Sequence, residues 1–74
     1  MKITIENTKK IVHLNGVPAR VWEGETDSGI KVHCFITRIA VSDKEQNLEQ
    51  FEKELNQQKV PSEETKTIPL RLVL

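Results

Sequence analysis

Alternating apolar and polar residues predict β-strands through the first half of the chain. Two runs rich in β-branched and aromatic residues stand on either side of a polar turn at 25–29, which is typical of a β-hairpin. A second hairpin turn is indicated at Asn15-Gly16, because both residue types tolerate positive φ. We place a further polar turn at 7–9. The four predicted strands are residues 2–6, 10–14, 17–23 and 30–41.

The second half of the chain predicts one helix and one last strand. Ser42 and Glu45 have the spacing of a capping box, and a helix should run from about 43 to 58. Its apolar residues lie three and four positions apart on one face, so it should cover one side of a sheet: Leu48, Phe51 and Leu55. Residues 59–67 read as a solvated connection. Residues 68–74 alternate again and predict a C-terminal strand.

These elements define one α+β domain over residues 1–74. It consists of an antiparallel β-meander of about four strands, one amphipathic helix packed on one face, and a C-terminal β-strand. The Asn15-Gly16 turn fixes the first hairpin, in which Leu14 opposes Val17 and Ile11 opposes Arg20.

The second hairpin admits two registers. In the register that we favour, Thr26 opposes Gly29 and Trp22 opposes His33. In the alternative, Gly29 forms a bulge and Trp22 opposes Cys34. The difference of one residue matters because it moves every side chain of the fourth strand to the other face of the sheet.

The favoured register brings the candidate binding residues to one face of the sheet: Arg20, Trp22, Lys31, His33 and Phe35. A protein interface is one interpretation, since Trp and Arg are common anchors there. A second is nucleic-acid binding, in which aromatic side chains stack on bases. The third is purely structural, with this face covered by the helix or by the C-terminal strand.

Composition limits the functional classes. A chain of 74 residues has a thin core, and small domains often gain stability by oligomerising. Eleven basic and eleven acidic residues give a net charge of zero, which disfavours a dedicated nucleic-acid binder. A single cysteine leaves no internal disulfide and suits a reducing compartment. The first residues lack the apolar run of a signal peptide, and no run is long enough to span a membrane.

No pattern of catalytic residues is recognisable. The sequence has no glycine-rich phosphate loop and no CxxC pair. His33 and Cys34 are neighbours on one strand, so they point to opposite faces and make a poor pair of metal ligands. Glu23, Glu25 and Asp27 cluster around a turn, where carboxylates are usually exposed or bonded to the local backbone. We therefore expect no enzyme activity, no cofactor and no bound metal.

The segment from Asn15 to Val41, together with the closing Ile68-Pro-Leu-Arg-Leu, resembles small bacteriophage and prophage proteins of unknown function. The resemblance implies a small accessory protein in the cytoplasm of a bacterial host, and it transfers no site residues. The leading functional prediction is a non-enzymatic protein-interaction module that forms a homodimer and has a host or phage protein as a further potential partner. The alternative is a nucleic-acid-binding accessory protein that uses the sheet face of Arg20 and Trp22.

Overall fold

A computed structural model describes residues 1–67 of the chain. It contains a three-stranded antiparallel sheet in the order β1-β2-β3, with two short helices. The strands are β1 (Ile3–Leu14), β2 (Val17–Thr26) and β3 (Lys31–Ile36), and the helices are α1 (Leu48–Leu55) and α2 (Glu63–Lys66). The α+β class is therefore confirmed, with three strands in place of four over these residues. The predicted C-terminal strand, residues 68–74, lies outside the described residues.

The predicted turn at 7–9 is wrong, because β1 runs through it as one strand. The pairing with β2 shifts register between Asn7 and Ile11, so three residues of β1 bulge against a single residue of β2. The polar residues of the bulge have partners of their own. Thr8 is fully buried and donates its hydroxyl to the carbonyl of Val21. These bonds let a polar stretch stay inside a strand where the sequence favours a turn.

The first hairpin agrees with its prediction and the second does not. Leu14 opposes Val17 across the Asn15-Gly16 turn, as expected. In the second hairpin Trp22 opposes Cys34, which is the alternative register. The reason is the three-residue loop at 27–29, which ends in Gly29 at φ 88° and leaves Thr26 paired with the following residue.

This register defines two faces of the sheet. The Val21 face carries Val21 and Glu23 of β2 with their opposed residues on β3, which include His33 and Phe35. The Trp22 face carries Arg20 and Trp22 with their opposed residues Ile36 and Cys34. Side chains that the favoured register placed together are therefore divided between the two faces.

Gly24 lies within β2. It opposes Ile5 of β1, and a Cβ at this position would lie 1.8 Å from the carbonyl oxygen of Thr4. Only glycine allows this close approach of the two backbones. Gly24 thus sets the distance between β1 and β2 near the open end of the hairpin.

The main helix is shorter than predicted and starts later. Its N-cap is Asn47, whose side-chain oxygen accepts from the N–H of Gln50 at 3.3 Å. Ser42 instead closes an isolated turn with Glu45, whose N–H donates to the Ser42 carbonyl at 3.0 Å. The apolar stripe begins only at Leu48, so the residues before it have no apolar side chain to bury against the sheet. β3 likewise ends at Ile36, and residues 37–41 are not part of the strand.

The two helices lie on opposite faces of the sheet. The Asn7 amide donates to the Leu55 carbonyl at 2.7 Å and holds the end of α1 beside the Trp22 face. The chain then crosses the outer edge of β1. There the N–H of Lys59 donates to the Asn7 carbonyl, and the Lys59 carbonyl accepts from the N–H of Lys9. Beyond this crossing, α2 lies over the Val21 face. Residues 59–67, predicted as a plain connection, therefore contain a helix that Ser62 caps.

The core is thin. Over residues 1–67, Ala19 and Val21 are the buried hydrophobic residues, and four polar residues are buried beside them: Asn7, Thr8, Glu23 and Thr65. No residue of α1 is buried. Hydrogen bonds between buried polar groups therefore supply much of what holds the helices to the sheet.

Candidate interaction surfaces

Within residues 1–67, the outer edge of β3 has no neighbouring strand. In the second hairpin the N–H of Thr26 donates to the carbonyl of Ile30 at 2.9 Å. Because hydrogen-bonded and non-bonded pairs alternate in antiparallel strands, the even-numbered residues of β3 point their backbone groups at β2. The backbone groups that point outward belong to Lys31, His33 and Phe35. Among residues 1–67, no backbone hydrogen bond outside the sheet reaches these three.

The side chains of these residues project onto the Val21 face. Lys31 forms an exposed ion pair with Glu25 at 3.1 Å. The Nε2 atom of His33 lies 2.9 Å from the hydroxyl of Thr65 in α2. Phe35 lies opposite Val21 and is half-buried. The edge strand thus keeps its side chains engaged with its own sheet and helix while its backbone faces outward.

A buried carboxylate anchors α2 to the sheet. Glu23 is 8% exposed, and one of its oxygens accepts from the N–H and the hydroxyl of Ser62, at 3.1 and 2.9 Å. The same oxygen accepts from the hydroxyl of Thr65, which is fully buried. The other oxygen lies 2.6 Å from the ammonium of Lys59. Since the Thr65 proton is used on Glu23, the His33 ring must donate to Thr65 through Nε2–H.

The pKa of Glu23 reflects these partners. Burial by itself raises this pKa, but the hydrogen bonds from Lys59, Thr65 and Ser62 lower it by more, and the net result is a pKa of about 2. Lys59 shows the reciprocal effect, since its bond to the carboxylate raises the pKa of its ammonium group. Glu23 therefore stays ionised at any pH near neutrality, and the cluster is a structural anchor and not a proton donor.

On the opposite face, an open apolar groove separates the sheet from α1. We call it the Trp22 groove. Its two halves share part of their lining and have volumes of about 730 and 360 Å³. The apolar residues that line it are Ile11, Trp22, Ile36, Ile39, Phe51 and Leu55. Ile39 and Leu55 remain 40% and 36% exposed, so the groove is not closed by its own walls.

Charge is distributed unevenly along this groove. Glu54 and Lys59 line one half, and Arg20 and Arg38 line the other. Glu6 also lines the first half, but it opposes Glu23, so its side chain projects to the Val21 face. No ion pair engages Glu54, Arg20 or Arg38 within the described part of the chain. Arg20 donates one hydrogen bond to the Lys9 carbonyl at 3.1 Å and is otherwise available. The groove is thus an apolar channel with two arginines at one end.

The structure separates the five predicted binding residues into two groups. Arg20 and Trp22 line the Trp22 groove, whereas Lys31, His33 and Phe35 form the edge strand and face the other side. Their placement on one shared face was wrong because the second hairpin takes the bulged register. Sequence reasoning missed the polar anchor altogether, although Ser62 followed by two glutamates was a recognisable helix start: Glu23, Lys59, Ser62 and Thr65.

The remaining candidate chemistry is dispersed. Glu23 is not a turn carboxylate, because it lies within β2 and under α2. Cys34 is a half-buried free thiol on the Trp22 face, with His33 pointing to the opposite face. Residues 1–67 contain no cluster of three potential metal ligands. No helix in the described range is long and apolar enough to cross a membrane.

Comparison of the chain with protein-family models, with curated proteins and with solved structures gave no match. Function must therefore be inferred from the residues and their geometry.

Proposed function

We propose that this protein is a small non-enzymatic protein-interaction module that forms a homodimer, with two copies joined along the outer edges of β3. The proposal rests on the backbone groups of Lys31, His33 and Phe35 that point outward from the edge of the sheet. Within residues 1–67, no backbone group from outside the sheet forms a hydrogen bond with them. An unpaired strand edge is a template for pairing with another chain. Two copies of one strand pair through a two-fold axis, the commonest symmetry of homo-oligomers.

The pairing has one register that uses the whole edge. If His33 lies on the two-fold axis opposite His33 of the second copy, Lys31 opposes Phe35 in both directions. All three outward positions then form hydrogen-bonded pairs. Registers shifted along the strand leave one or two of them unpaired. The register also keeps the two lysines apart, which avoids the repulsion of like charges directly opposite each other.

The size of the domain favours such a dimer. Small domains bury a limited fraction of their surface, and association adds what a single chain lacks. The resemblance to phage and prophage proteins supports an accessory role in a bacterial cytoplasm, which belongs to the same proposal.

The alternative, nucleic-acid binding, has less support from the geometry. It required basic and aromatic side chains on one open sheet face. Lys31, His33 and Phe35 lie on the face opposite to Trp22.

Amide hydrogen exchange of the unmodified protein tests the dimer directly. At high protein concentration the outward amides of Lys31, His33 and Phe35 should be protected, and on dilution they should exchange fast. The inward amides of Val32 and Cys34 serve as internal controls, because β2 protects them at either concentration. Protection of the outward amides that does not change with concentration would mean an intramolecular partner at this edge. Fast exchange at all concentrations would mean a monomer, and either result rejects the proposal.

Disulfide trapping tests the register. In a Cys34→Ser background, His33→Cys places two thiols across the axis, where paired Cα atoms lie about 5.5 Å apart and a disulfide can form. Lys31→Cys is the matched control, because its two copies are offset by four residues, roughly 13 Å along the strand. Rapid cross-linking at position 33 alone is expected. Equal cross-linking at both positions, or none at 33, contradicts this register.

A further inference from the structure

We infer that mild acid weakens the homodimer, because protonation of His33 in both copies places two imidazolium groups side by side across the two-fold axis. This inference rests on the proposed function and names the regulation of the same contact. In the register that uses the whole edge of β3, His33 is the residue that opposes itself. A change in its charge is therefore felt twice, once from each copy.

The two imidazole rings lie on the same face of the joined sheets. A two-fold axis perpendicular to the sheet keeps the Val21 faces of both copies on one side, and His33 projects to that face because it opposes Glu23. Directly opposed residues of antiparallel strands have Cβ atoms about 5 Å apart. Like charges at such positions repel and destabilise the pairing of the two strands.

The hydrogen bond to α2 defines which ring nitrogen takes up the proton. Nε2–H of His33 donates to the Thr65 hydroxyl, 2.9 Å away, so Nδ1 is the unprotonated nitrogen of the neutral ring. Protonation at Nδ1 adds a positive charge and keeps the bond from Nε2–H to Thr65. The ring therefore stays attached to α2 of its own copy while its charge changes.

The charged groups that face His33 within its own copy come from all three strands and from α2 with the segment before it. They line one polar pocket with His33: Glu6, Glu23, Glu25, Lys31, Lys59, Glu63 and Glu64. These groups surround the ring in the monomer and in the dimer alike. By linkage, association depends on pH only through groups whose proton binding differs between the two states.

The second copy adds mainly positive charge beside the ring. Its own His33 lies directly opposite, and its Lys31 lies at a diagonal position, where it is paired with Glu25 of the same copy at 3.1 Å. Its α2 lies inward of the β3 edge, because Thr65 contacts both Glu23 and His33. Protonation of both histidines is therefore less favourable in the dimer than in two separate chains.

A pH change from 7.5 to 5.5 alters the charge of histidine and leaves the anchor of α2 intact. Histidine is the side chain that ordinarily changes charge between pH 5 and 8. Glu23 stays ionised over this range, since its pKa is about 2. Two unit charges roughly 6 Å apart near a protein surface repel enough to raise the dissociation constant about three- to tenfold.

Sedimentation equilibrium of the wild type and two variants, at pH 7.5 and 5.5, measures the dissociation constant of the dimer. The readout is the ratio of the two constants, which should be about three to ten for the wild type. For His33→Gln, whose amide can donate to Thr65 but takes up no proton, the ratio should be close to one. His13→Gln is the matched control and should keep the wild-type ratio, because His13 lies on β1 opposite Pro18, away from the β3 edge.

The outcomes separate this inference from the dimer itself. A wild-type ratio near one overturns the inference while the dimer stands, and so does an equal ratio for the wild type and His33→Gln. A wild type that is monomeric at both pH values rejects the dimer and the inference with it. Circular dichroism of the same samples must show the same fold at both pH values. A fold lost at pH 5.5 overturns the inference, because α2 then fails before the interface does.

Discussion

Replacing Glu23 with glutamine tests whether one buried carboxylate holds α2 on the sheet. The pKa of this carboxyl is about 2 in the folded chain, against an ordinary value of 4.5. Since each unit of pKa is worth about 1.4 kcal/mol, the ionised side chain contributes about 3 kcal/mol to the free energy of unfolding at pH 7. In a small domain that is a large share of the total.

The sign of the pH dependence follows from the lowered pKa. A carboxyl with a depressed pKa stabilises the folded chain above its unfolded pKa, and this contribution is lost as the pH falls from about 4.5 to about 2. Glu23→Gln removes the titrating group, so the variant lacks this loss. The gap in unfolding free energy between wild type and variant should be about 3 kcal/mol at pH 7. Near pH 2.5 it should be under about 1 kcal/mol.

Urea unfolding followed by Trp22 emission, at both pH values, measures this gap. Glu63→Gln is the control, because Glu63 forms only an exposed ion pair with Lys66 at 3.5 Å and has a side chain 87% exposed. It should change the free energy by less than about 0.5 kcal/mol at either pH. If the wild type and Glu23→Gln differ equally at pH 7 and pH 2.5, Glu23 is not the titrating anchor and this reasoning fails.

Two further substitutions, each with a control variant, test the packing of the sheet and of α2. Gly24→Ala should lower the free energy of unfolding by more than about 3 kcal/mol, because its Cβ would overlap the β1 backbone. Gly29→Asn should cost much less in the same urea unfolding assay, because no atom lies within 4 Å of that site and asparagine tolerates its positive φ better than other residues do. Thr65→Val, which removes the buried hydroxyl between the carboxylate and the imidazole, should cost about 2 kcal/mol. Thr67→Val should cost under about 1 kcal/mol, because its hydroxyl is exposed; equal effects of Thr65→Val and Thr67→Val would contradict the anchor.

The first hairpin shows what the sequence can predict. Asn15 and Gly16 both adopt positive φ, at 51° and 82°, and the two-residue turn leaves one register for the strands beside it. Local turn chemistry decides the pairing here, and no distant residue is needed. The α+β class follows in the same way from periodicity, because alternation and helical spacing are properties of neighbouring residues.

The second hairpin shows where such reasoning stops. Asp27, Ser28 and Gly29 are compatible with both registers. Preference for an aliphatic inner face led to the wrong one, because the observed register puts Glu23 and His33 side by side under a helix. That arrangement is stable only because Ser62, 39 residues further along, supplies hydrogen bonds to the carboxylate. Hydrogen bonds from a residue so distant in the sequence cannot be predicted from the local pattern of apolar and polar residues.

The candidate site was predicted by residue type more successfully than by arrangement. Trp22 and Arg20 do border an exposed apolar surface. Their neighbours in the groove, however, come from the loop after β3 and from α1, and no hairpin register links them: Arg38, Ile39, Phe51 and Leu55. The polar anchor between β2 and α2 could not be predicted either, because its residues are widely separated in the sequence, from Glu23 to Thr65.

The edge of β3, which no other strand of residues 1–67 covers, is the last reason to expect a second chain. Proteins protect exposed strand edges with charged side chains, bulges or covering segments. β1 has such protection, because its outer edge is bulged and pairs with Lys59 at that point. Along β3 the outward positions carry one lysine, Lys31, whereas His33 and Phe35 offer no comparable barrier. In the dimer that we propose, the two β3 edges would pair with each other and the bulged β1 strands would form both outer edges. Further growth of the sheet would then be disfavoured.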